Sequence, residues 1–332
     1  MNVAGIDVSS QTLHLTVRKR NKKTNEGVFD NNAEGHQKLI VFLKKHRVEN
    51  VCLEATGIYH LDLALALHKA KKIQVMVVNP KAAKHFSEAL MSRTKTDLTD
   101  KDMLAEFAER MAFTPWCPPE DEIIAVRACS RRLAALTQQK AAAKNQLHAL
   151  SATDSTPEFI IEDAQLSIEQ IEKQIHTLKT KTLELIKQHE LIYQTLRLLV
   201  SIKGIAETSA IQLIGELLVL PKDMSAKQWV AFAGLDVRHN QSGTSLNKKS
   251  RISKVGNRYV RHALYMPALS ATRYEPNVKA YYLHLQNNRG LTKRQALCAV
   301  MRKLLHAIHG MLKTQSTFDG TRFYTSSEPV SC

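Results

Sequence analysis

The 332-residue sequence contains little glycine and little proline, with 12 and 9 residues, and aromatic residues make up only 6% of the chain. The low glycine and proline content excludes collagen-like and low-complexity chains. The scarcity of aromatic residues argues against the stacking platforms that hold single-stranded nucleic acids. No run of about 18 uninterrupted apolar residues occurs, so the sequence predicts no membrane-spanning segment. Hydrophobic residues at 44% and charged residues at 23% are typical of a globular protein, and the length favours about two domains.

Cysteine is also scarce. The five cysteines are Cys52, Cys117, Cys129, Cys298 and Cys332, and no two of them form a C-x-x-C pair. This pattern argues against a disulfide framework and against a zinc site, and it fits a reducing compartment. The first residues lack the pattern of a secretory signal. We therefore expect a cytoplasmic protein.

Acidic residues are outnumbered, with 31 against 47 basic residues, which gives a formal net charge of +16. Such a surplus favours a polyanionic partner, because neutralising phosphates releases counterions. A basic protein without a nucleic-acid partner is the alternative. Composition alone therefore makes nucleic-acid binding the leading hypothesis.

Residues 1–118 alternate between strand-like and helix-like patterns. Apolar runs and two-residue alternation predict strands at 3–6, 13–17, 28–29, 51–53 and 73–78. Helical periodicity predicts helices at 39–43, 61–67, 82–90 and 96–111, and the basic segment 18–23 is predicted as a hairpin tip. Strands first, followed by alternating helices and strands, predict an α/β domain with a mixed sheet and flanking helices.

Residues 119–195 carry two heptad seams on either side of a breaker-rich turn at 151–157. The seams consist of Leu133, Leu136, Lys140, Ala143, Leu147 and Leu150, and of Ala164, Ile168, Ile171, Ile175, Leu178, Thr182 and Leu185. This spacing predicts an antiparallel coiled-coil hairpin. Two core helices of a bundle are the alternative, but the charged flanks of both seams favour a projecting arm that pairs protomers.

The remaining chain is predicted as a mainly helical domain at 196–315 with a tail at 316–332. The segment 198–217 resembles a helix-hairpin-helix, in which backbone N–H groups at Lys203 and Gly204 would hold a DNA phosphate; a plain helical packing unit is comparably supported. Residues 238–261 read as a loop-rich, strongly basic segment, with Ser253 as the N-cap of the helix that follows. Two further helices are predicted at 278–286 and 293–311.

A few carboxylates occupy unexpected positions. Asp7 and Glu54 each close an apolar strand, and Asp97 and Asp100 lie three residues apart on one face of a predicted helix, whereas Asp102 should point elsewhere. Taken singly, each carboxylate is more simply explained as a solvent-exposed residue at the end of a strand or at the start of a helix. Taken together, four carboxylates at one edge need a cation, and hard oxygen ligands suit Mg²⁺ or Mn²⁺.

The chain has first a strand that ends in an aspartate, then a hairpin, then a strand that ends in a glutamate, and finally a helix that carries Asp-x-x-Asp. This order resembles the ribonuclease-H-like layout of RuvC resolvases. More specific motifs of the first half are Gly5-Ile6-Asp7-Val8-Ser9, Glu54-Ala55-Thr56-Gly57-Ile58-Tyr59, Val78-Asn79-Pro80 and Lys95-Thr96-Asp97-Leu98-Thr99-Asp100. Those of the second half are Ser201-Ile202-Lys203-Gly204-Ile205, Phe232-Ala233-Gly234-Leu235, Gln241-Ser242-Gly243, Ile252-Ser253-Lys254-Val255-Gly256-Asn257 and Arg261-His262-Ala263-Leu264-Tyr265-Met266. In order and spacing they resemble the DEDD-type insertion-sequence transposases. These are also called bridge-RNA-guided recombinases and are related to the pilin-gene invertases.

Two single residues and one residue pair depart from the family pattern. Lys203 stands in place of the proline usual before the hairpin glycine, and Ala206 replaces the second hairpin glycine. Lys101 and Asp102 follow the last aspartate, where an alanine is common. The departures at the hairpin affect the expected DNA contact and leave the catalytic set intact.

The resemblance implies a RuvC-like N-terminal domain and a C-terminal transposase domain with a catalytic serine. It assigns Asp7, Glu54, Asp97 and Asp100 as the ligands of Mg²⁺, with Mn²⁺ as a substitute, and Ser242 as the nucleophile of a phosphoserine intermediate. Its expected partners are target DNA, donor DNA and a non-coding bridge RNA. The expected assembly is a homodimer that becomes a tetramer in the synaptic complex, in the bacterial cytoplasm and at the nucleoid when it acts.

Basic residues around Ser242 are expected to contact phosphates, beyond Lys203 and Gly204. They are Arg238, Lys248, Lys249, Arg251, Lys254, Arg258 and Arg261. Two other functions compete: a RuvC-like Holliday-junction resolvase that uses activated water, and a non-catalytic nucleic-acid-binding factor. An actin-like or sugar-kinase ATPase is disfavoured, because the glycine-rich phosphate loops are missing.

Overall fold

A computed structural model describes residues 2–55, 57–90, 100–242 and 246–325, with the backbone alone for 239–242 and 246–250. The chain divides into two compact units, Met1–Pro118 and Pro119–Cys332. Among the described helices, none combines the length and the apolar character that a membrane crossing requires.

Unit 1 is built on a five-stranded mixed sheet. Its strands are β1 (Asn2–Val8), β2 (Thr12–Lys19), β3 (Lys22–Asp30), β4 (Val48–Glu54) and β5 (Gln74–Val78). The spatial order is β3-β2-β1-β4-β5. The pairs β1–β2 and β2–β3 are antiparallel, whereas β4 pairs with β1 and β5 in parallel. The mixed sheet predicted for this part of the chain is confirmed.

Helices cover both faces of this sheet. They are α1 (Ala33–Lys45), α2 (Leu61–Lys69), α3 (Pro80–Ala89) and α4 (Asp100–Arg110). Ala4 and Ile6 of β1 pack with leucines of α1 and α2 on one face, and Val3 packs with Leu104 of α4 on the other. Strands buried on both faces carry apolar side chains at successive positions, which explains the continuous apolar run in β1.

Local signals account for several boundaries in unit 1. The hairpin β2–β3 turns on Arg20 and Asn21, which both have left-handed backbone conformations, as a two-residue hairpin turn requires. Asn79 caps α3 by accepting from the N–H of Lys81, and Pro80 takes the first helical position. The start predicted for the last helix, at residue 96, lies outside the described residues.

Unit 2 is mainly helical. Its elements are α5 (Asp121–Leu150), α6 (Glu158–Lys187), α7 (Glu190–Val200), α8 (Glu207–Leu217), α9 (Ala226–Ala233), β6 (Val237–Ser242), β7 (Leu246–Ile252), α10 (Arg258–Tyr274), α11 (Pro276–Asn287), α12 (Lys293–Thr314) and α13 (Gly320–Phe323). One hydrophobic core joins α5 to α13 and includes the buried side chains of Leu199, Leu213 and Leu304.

The helices α5 and α6 form the long hairpin that the seams predicted, with the turn at 151–157. Lys140 and Lys144 on α5 contact Glu172 on α6 at 2.8 and 3.4 Å. The base of the hairpin lies in the core of unit 2, where Val126 and Ile186 are fully buried. In the outer half the seam positions are half-buried, or buried at Ile168, while most of their neighbours are exposed. The base of the hairpin is therefore part of the core of unit 2, and a coiled-coil arm that pairs protomers stays a prediction.

The sequence prediction was wrong between 238 and 261. This basic segment is not mainly loop but contains the antiparallel hairpin β6–β7. The helix α10 was missed, because Pro267 lies in its interior and proline usually ends a helix. Ser253 is not an N-cap, since its hydroxyl binds Asp236, and Asn257 caps α10 instead.

The segment predicted as a tail at 316–332 is partly folded. The short helix α13 lies in it, and Phe323 is buried against Tyr281. The N–H of Phe318 donates to the hydroxyl of Ser201 at 3.1 Å. The aromatic residues of this segment therefore extend the core of unit 2.

Candidate active site

The strand ends of β1 and β4 place two carboxylates side by side. The parallel register pairs Gly5 with Cys52 and Ile6 with Leu53, so Asp7 and Glu54 occupy the next position on adjacent strands. Side chains alternate between the two faces of a sheet, so Asp7 lies on the face of Gly5 and Glu54 on that of Cys52. This is the face that α4 covers, because Cys52 packs with Leu104.

Helix α4 lies directly on β1 at Gly5. A Cβ atom at this position would lie 2.1 Å from the carbonyl oxygen of Lys101 and 2.2 Å from the backbone nitrogen of Ala105. Only glycine permits so close an approach of two backbones. Because α4 begins at Asp100, this packing brings a third carboxylate to the end of β1.

The electrostatics of Asp7 reflect this arrangement. Burial raises the pKa of the Asp7 carboxyl, and the negative charge of Asp100 raises it further, while His14 on β2 opposes the shift. Burial together with a like charge disfavours ionisation unless a cation is bound. The structure thus brings Asp7 and Asp100 together, with Glu54 in the adjoining register position.

The fourth predicted ligand, Asp97, lies outside the described residues. Within the described parts of the chain, no three His, Cys, Asp or Glu side chains form a complete set of metal ligands. The chemistry of Asp7, Glu54 and Asp100 nonetheless fits Mg²⁺ or Mn²⁺, because all three supply hard carboxylate oxygens.

Ser242 is the last residue of β6 and pairs with Leu246 of β7 across the hairpin. Of Ser242 the backbone is described, and residues 243–245 lie outside the described part. The predicted nucleophile therefore lies at the outer end of a β-hairpin rather than in an irregular loop. Lys248 and Lys249 lie on β7, also with the backbone alone described.

The base of this hairpin is held against the end of α9. The N–H of Asn257 donates to the carbonyl of Phe232 at 2.6 Å, and the N–H of Lys254 donates to that of Gly234 at 3.1 Å. Gly234 ends α9 in the left-handed conformation, with φ of 65°. Two of the sequence motifs, 232–235 and 252–257, therefore form one structural unit under β6 and β7.

The predicted phosphate-binding residues divide into two groups. Arg238, Arg251, Lys254 and Arg258 are exposed. Arg261 is half-buried and donates to the carbonyl of Ala233 at 2.7 Å, and burial lowers its pKa. Arg261 therefore stabilises the end of α9 in addition to any role at a phosphate.

The turn between α7 and α8 contains Lys203 and Gly204. Ile202 and Ile205 on either side are buried. Gly204 has φ of 108°, and its Cβ position lies 2.8 Å from the carbonyl oxygen of Pro267 in α10. This glycine is thus required for helix packing, while Lys203 is exposed and lies 3.8 Å from Glu275.

Sequence reasoning missed a buried ionic cluster around Glu216, which is 1% exposed. Arg131 Nε and Asn257 Nδ2 donate to this carboxylate at 2.7 and 2.6 Å, and Arg127 lies at 3.3 Å. Burial favours the neutral acid, but the hydrogen bond from Arg131 and the two arginine charges outweigh it and lower the pKa of Glu216. The sequence did carry a signal for this cluster, because Glu216 is the single acidic residue in the largely apolar run 211–220.

Two family models match the chain. One, described as a transposase, covers residues 4–151, and the other, described as the transposase IS116/IS110/IS902 family, covers residues 196–283. Pilin gene-inverting proteins of Moraxella bovis and Moraxella lacunata are 31% and 32% identical, over 95% of this chain and 97% of each relative. An uncharacterised protein of the insertion element IS110 from Streptomyces coelicolor is 27% identical over 53% of this chain and 40% of its own length.

Among solved structures, a Thermus thermophilus RuvC in complex with a Holliday-junction substrate is 20% identical. It covers 35% of this chain and 99% of that chain, with a TM-score of 0.27.

Proposed function

Because the chain belongs to the IS116/IS110/IS902 family of transposases, we propose that it is an RNA-guided recombinase that mobilises an insertion sequence by cutting and rejoining DNA. The observation that carries this proposal is the meeting of Asp7 and Asp100 at the strand ends of a sheet, beside Glu54. The reaction takes place on DNA in the cytoplasm. The net charge of +16 supports a polyanionic partner.

Asp7, Glu54, Asp97 and Asp100 would hold Mg²⁺, and Mn²⁺ would substitute for it. When bound, the ion supplies charge stabilisation at the scissile phosphate and at the leaving oxygen. The carboxylates bind and orient the ion. The backbone contact at Gly5 fixes where α4, and with it Asp100, meets β1.

Ser242 acts as the nucleophile. Its hydroxyl oxygen bonds to phosphorus as the bond from phosphorus to the leaving sugar oxygen breaks, and the serine proton passes through solvent to that leaving oxygen, which departs as a free hydroxyl. The resulting phosphoserine retains a phosphoester bond, so a second DNA hydroxyl can displace the serine and reseal the strand. The exposed Arg238, Arg251, Lys254 and Arg258 bind the flanking phosphates.

The proposed assembly pairs protomers through the outer half of the hairpin α5–α6. The large apolar side chains Phe159 and Leu166 are 69% and 54% exposed there, which supports a surface that is covered in the assembly. In such a dimer the carboxylates of one protomer meet Ser242 of its partner, and two dimers hold donor and target DNA. Target choice is delegated to a bridge RNA.

The nucleophile is tested by comparing Ser242→Ala with Ser250→Ala, a serine of β7 in the same hairpin. DNA carrying the element ends is incubated with protein, co-transcribed RNA and Mg²⁺, and adducts that resist denaturing detergent are counted. We expect Ser242→Ala to lose the adducts and Ser250→Ala to keep them. Strand cleavage that persists in Ser242→Ala would instead identify a resolvase that uses water. Wild-type protein that binds this DNA without cleaving it would point to a non-catalytic factor.

The composite site is tested by mixing two inactive variants. A mixture of Asp100→Asn and Ser242→Ala protomers contains sites in which an intact carboxylate set faces an intact serine. We expect this mixture to recover part of the strand exchange, whereas sites formed within one protomer would give none.

The guide is tested by sequencing RNA that copurifies with the protein. We expect one discrete RNA that is encoded beside the gene. If host ribosomal and transfer RNA are the only RNAs found, guidance by RNA is contradicted.

A further inference from the structure

A closed set of polar side chains joins the first turn of α4 to the hairpin β2–β3. Asp102 accepts hydrogen bonds from Thr16 Oγ1 at 2.5 Å and from Lys23 Nζ at 3.3 Å. Lys23 also pairs with Glu26, and Glu26 lies 3.1 Å from Lys101 Nζ. Lys101 and Asp102 are neighbours in the chain, so the ring is complete. We call these five residues the α4 clamp.

The clamp is built around a buried charge. Asp102 is 7% exposed, Thr16 is fully buried, and the side chain of Lys101 is 11% exposed. Burying a carboxylate is costly unless it is paired and hydrogen-bonded. A buried ion pair often adds little net stability over apolar packing, whereas it does restrict how two elements pack. Lys23 and Glu26 are each 45% exposed, so the buried part of the clamp is the bond from Thr16 to Asp102.

The clamp acts beside the proposed metal ligands. Lys101 and Asp102 directly follow Asp100, and the carbonyl of Lys101 faces Gly5 on β1. We infer that Asp102 is a positioning residue: its bonds to Thr16 and Lys23 hold the first turn of α4 so that Asp100 stands beside Asp7. This inference rests on the proposed function, because it concerns the same carboxylates. It also gives a role to the Lys101-Asp102 pair, which departs from the family pattern.

A purely structural role for Asp102 makes a different prediction, and the chain supplies a matched comparison. Glu109 lies on the same helix and binds the same hairpin, accepting from Arg18 Nε at 3.0 Å and from the N–H of Asn21 at 2.7 Å. It lies seven residues beyond Asp102, about 10 Å farther along the helix from Asp100. Loss of either acid should weaken the contact between α4 and the hairpin, but only loss of Asp102 should disturb the metal ligands.

The experiment measures Mn²⁺ binding to the full chain by electron paramagnetic resonance of the free ion, without DNA. The proteins are wild type, Asp102→Asn, Glu109→Gln, Asp7→Asn and Thr16→Val. We expect Asp102→Asn to raise the Mn²⁺ dissociation constant about tenfold or more, as loss of a residue behind a metal ligand typically does. Glu109→Gln should stay within about twofold of wild type. The Mg²⁺ concentration that half-saturates DNA cleavage should shift in parallel for Asp102→Asn.

The outcomes separate the inference from the proposed function. If wild type binds Mn²⁺, Asp7→Asn does not, and Asp102→Asn binds like wild type, the positioning role is refuted while the metal site stands. Equal weakening in Asp102→Asn and Glu109→Gln also refutes it, since a general loss of packing would then explain the effect. If Asp102→Asn fails to fold, Thr16→Val takes its place with the same expected direction, and unchanged binding refutes the inference. If the wild-type protein shows no Mn²⁺ binding that depends on Asp7, the metal site itself is overturned.

Discussion

Replacing Gly5 with alanine tests the contact on which the arrangement of carboxylates depends. The added methyl group would lie 2.1 Å from the Lys101 carbonyl oxygen and 2.2 Å from the Ala105 nitrogen. Ordinary contacts are near 3.5 Å, so α4 must move away from β1 by more than about 1 Å. Both clashing atoms belong to the backbone, so no side-chain rotation relieves them.

Overpacking of this kind costs about 1–3 kcal/mol, and we expect Gly5→Ala to reach about 3 kcal/mol because the helix moves as a whole. The reduced entropy of the unfolded chain offsets at most about 1 kcal/mol of this. The measurement is urea unfolding of the full chain in a Trp229→Phe background, where Trp116 in unit 1 is the remaining tryptophan.

Gly310→Ala is the matched control. The residue is inside helix α12, and apart from the adjoining turns of that helix no atom of the described residues lies within 4 Å of its Cβ position. It should leave unit 1 unchanged and stabilise α12 by up to about 1 kcal/mol. Mn²⁺ binding should be lost in Gly5→Ala and kept in Gly310→Ala. A Gly5→Ala protein with wild-type stability and wild-type Mn²⁺ binding would refute the reasoning.

Three further predictions concern buried titratable groups. Glu216→Gln leaves Arg127 and Arg131 beside a neutral amide, and both keep about a third of their side-chain surface in water. The change should cost unit 2 about 1–3 kcal/mol in urea unfolding, so an unchanged midpoint would contradict the ionic cluster. Because the folded pKa of Glu216 is lowered from 4.5, its stabilising contribution is present above pH 4.5 and is lost as pH falls through the folded value. Burial and the charge of Asp100 raise the pKa of Asp7, which has the opposite sign, so Asp7→Asn should raise the melting temperature of unit 1 in a chelating buffer at pH 7. A fall would count against a destabilising buried charge at this position. Burial raises the pKa of Cys52 to about 12, so iodoacetamide at pH 8 should label exposed Cys117 and spare Cys52 until the protein unfolds, as peptide mass spectrometry would report.

The sheet and the long helical hairpin could be predicted from the sequence because their signals are local. Leu13, Leu15 and Val17 alternate along strand β2, and the seams of α5 and α6 repeat with a helical period over residues 133–150 and 164–185. The ends of β1 and β4 also follow from sequence, since each apolar run ends at a carboxylate.

Other features depend on contacts between distant residues. The hydrogen bond from Thr16 to Asp102 joins positions 86 residues apart, and no local pattern marks it. The hairpin β6–β7 was missed because its side chains are mostly basic or polar, which removes the apolar alternation that identifies strands. Helix α10 continues through Pro267, which is buried in the core of unit 2, and burial against distant parts of the chain leaves no mark in the local sequence.

The core that α5 and α6 share with the following helices determines where the chain can be divided into fragments that still fold. A fragment that starts at residue 196 would lack Val126, Leu133 and Ile186. The core side chains that remain, such as Leu199 and Leu213, would be exposed to water, so such a fragment should aggregate or unfold. Chimeras between relatives should exchange the outer half of the helical pair, with junctions after Leu136 and before Ile175. The outer half of the hairpin α5–α6 can therefore be exchanged, whereas its base cannot be separated from the core of unit 2.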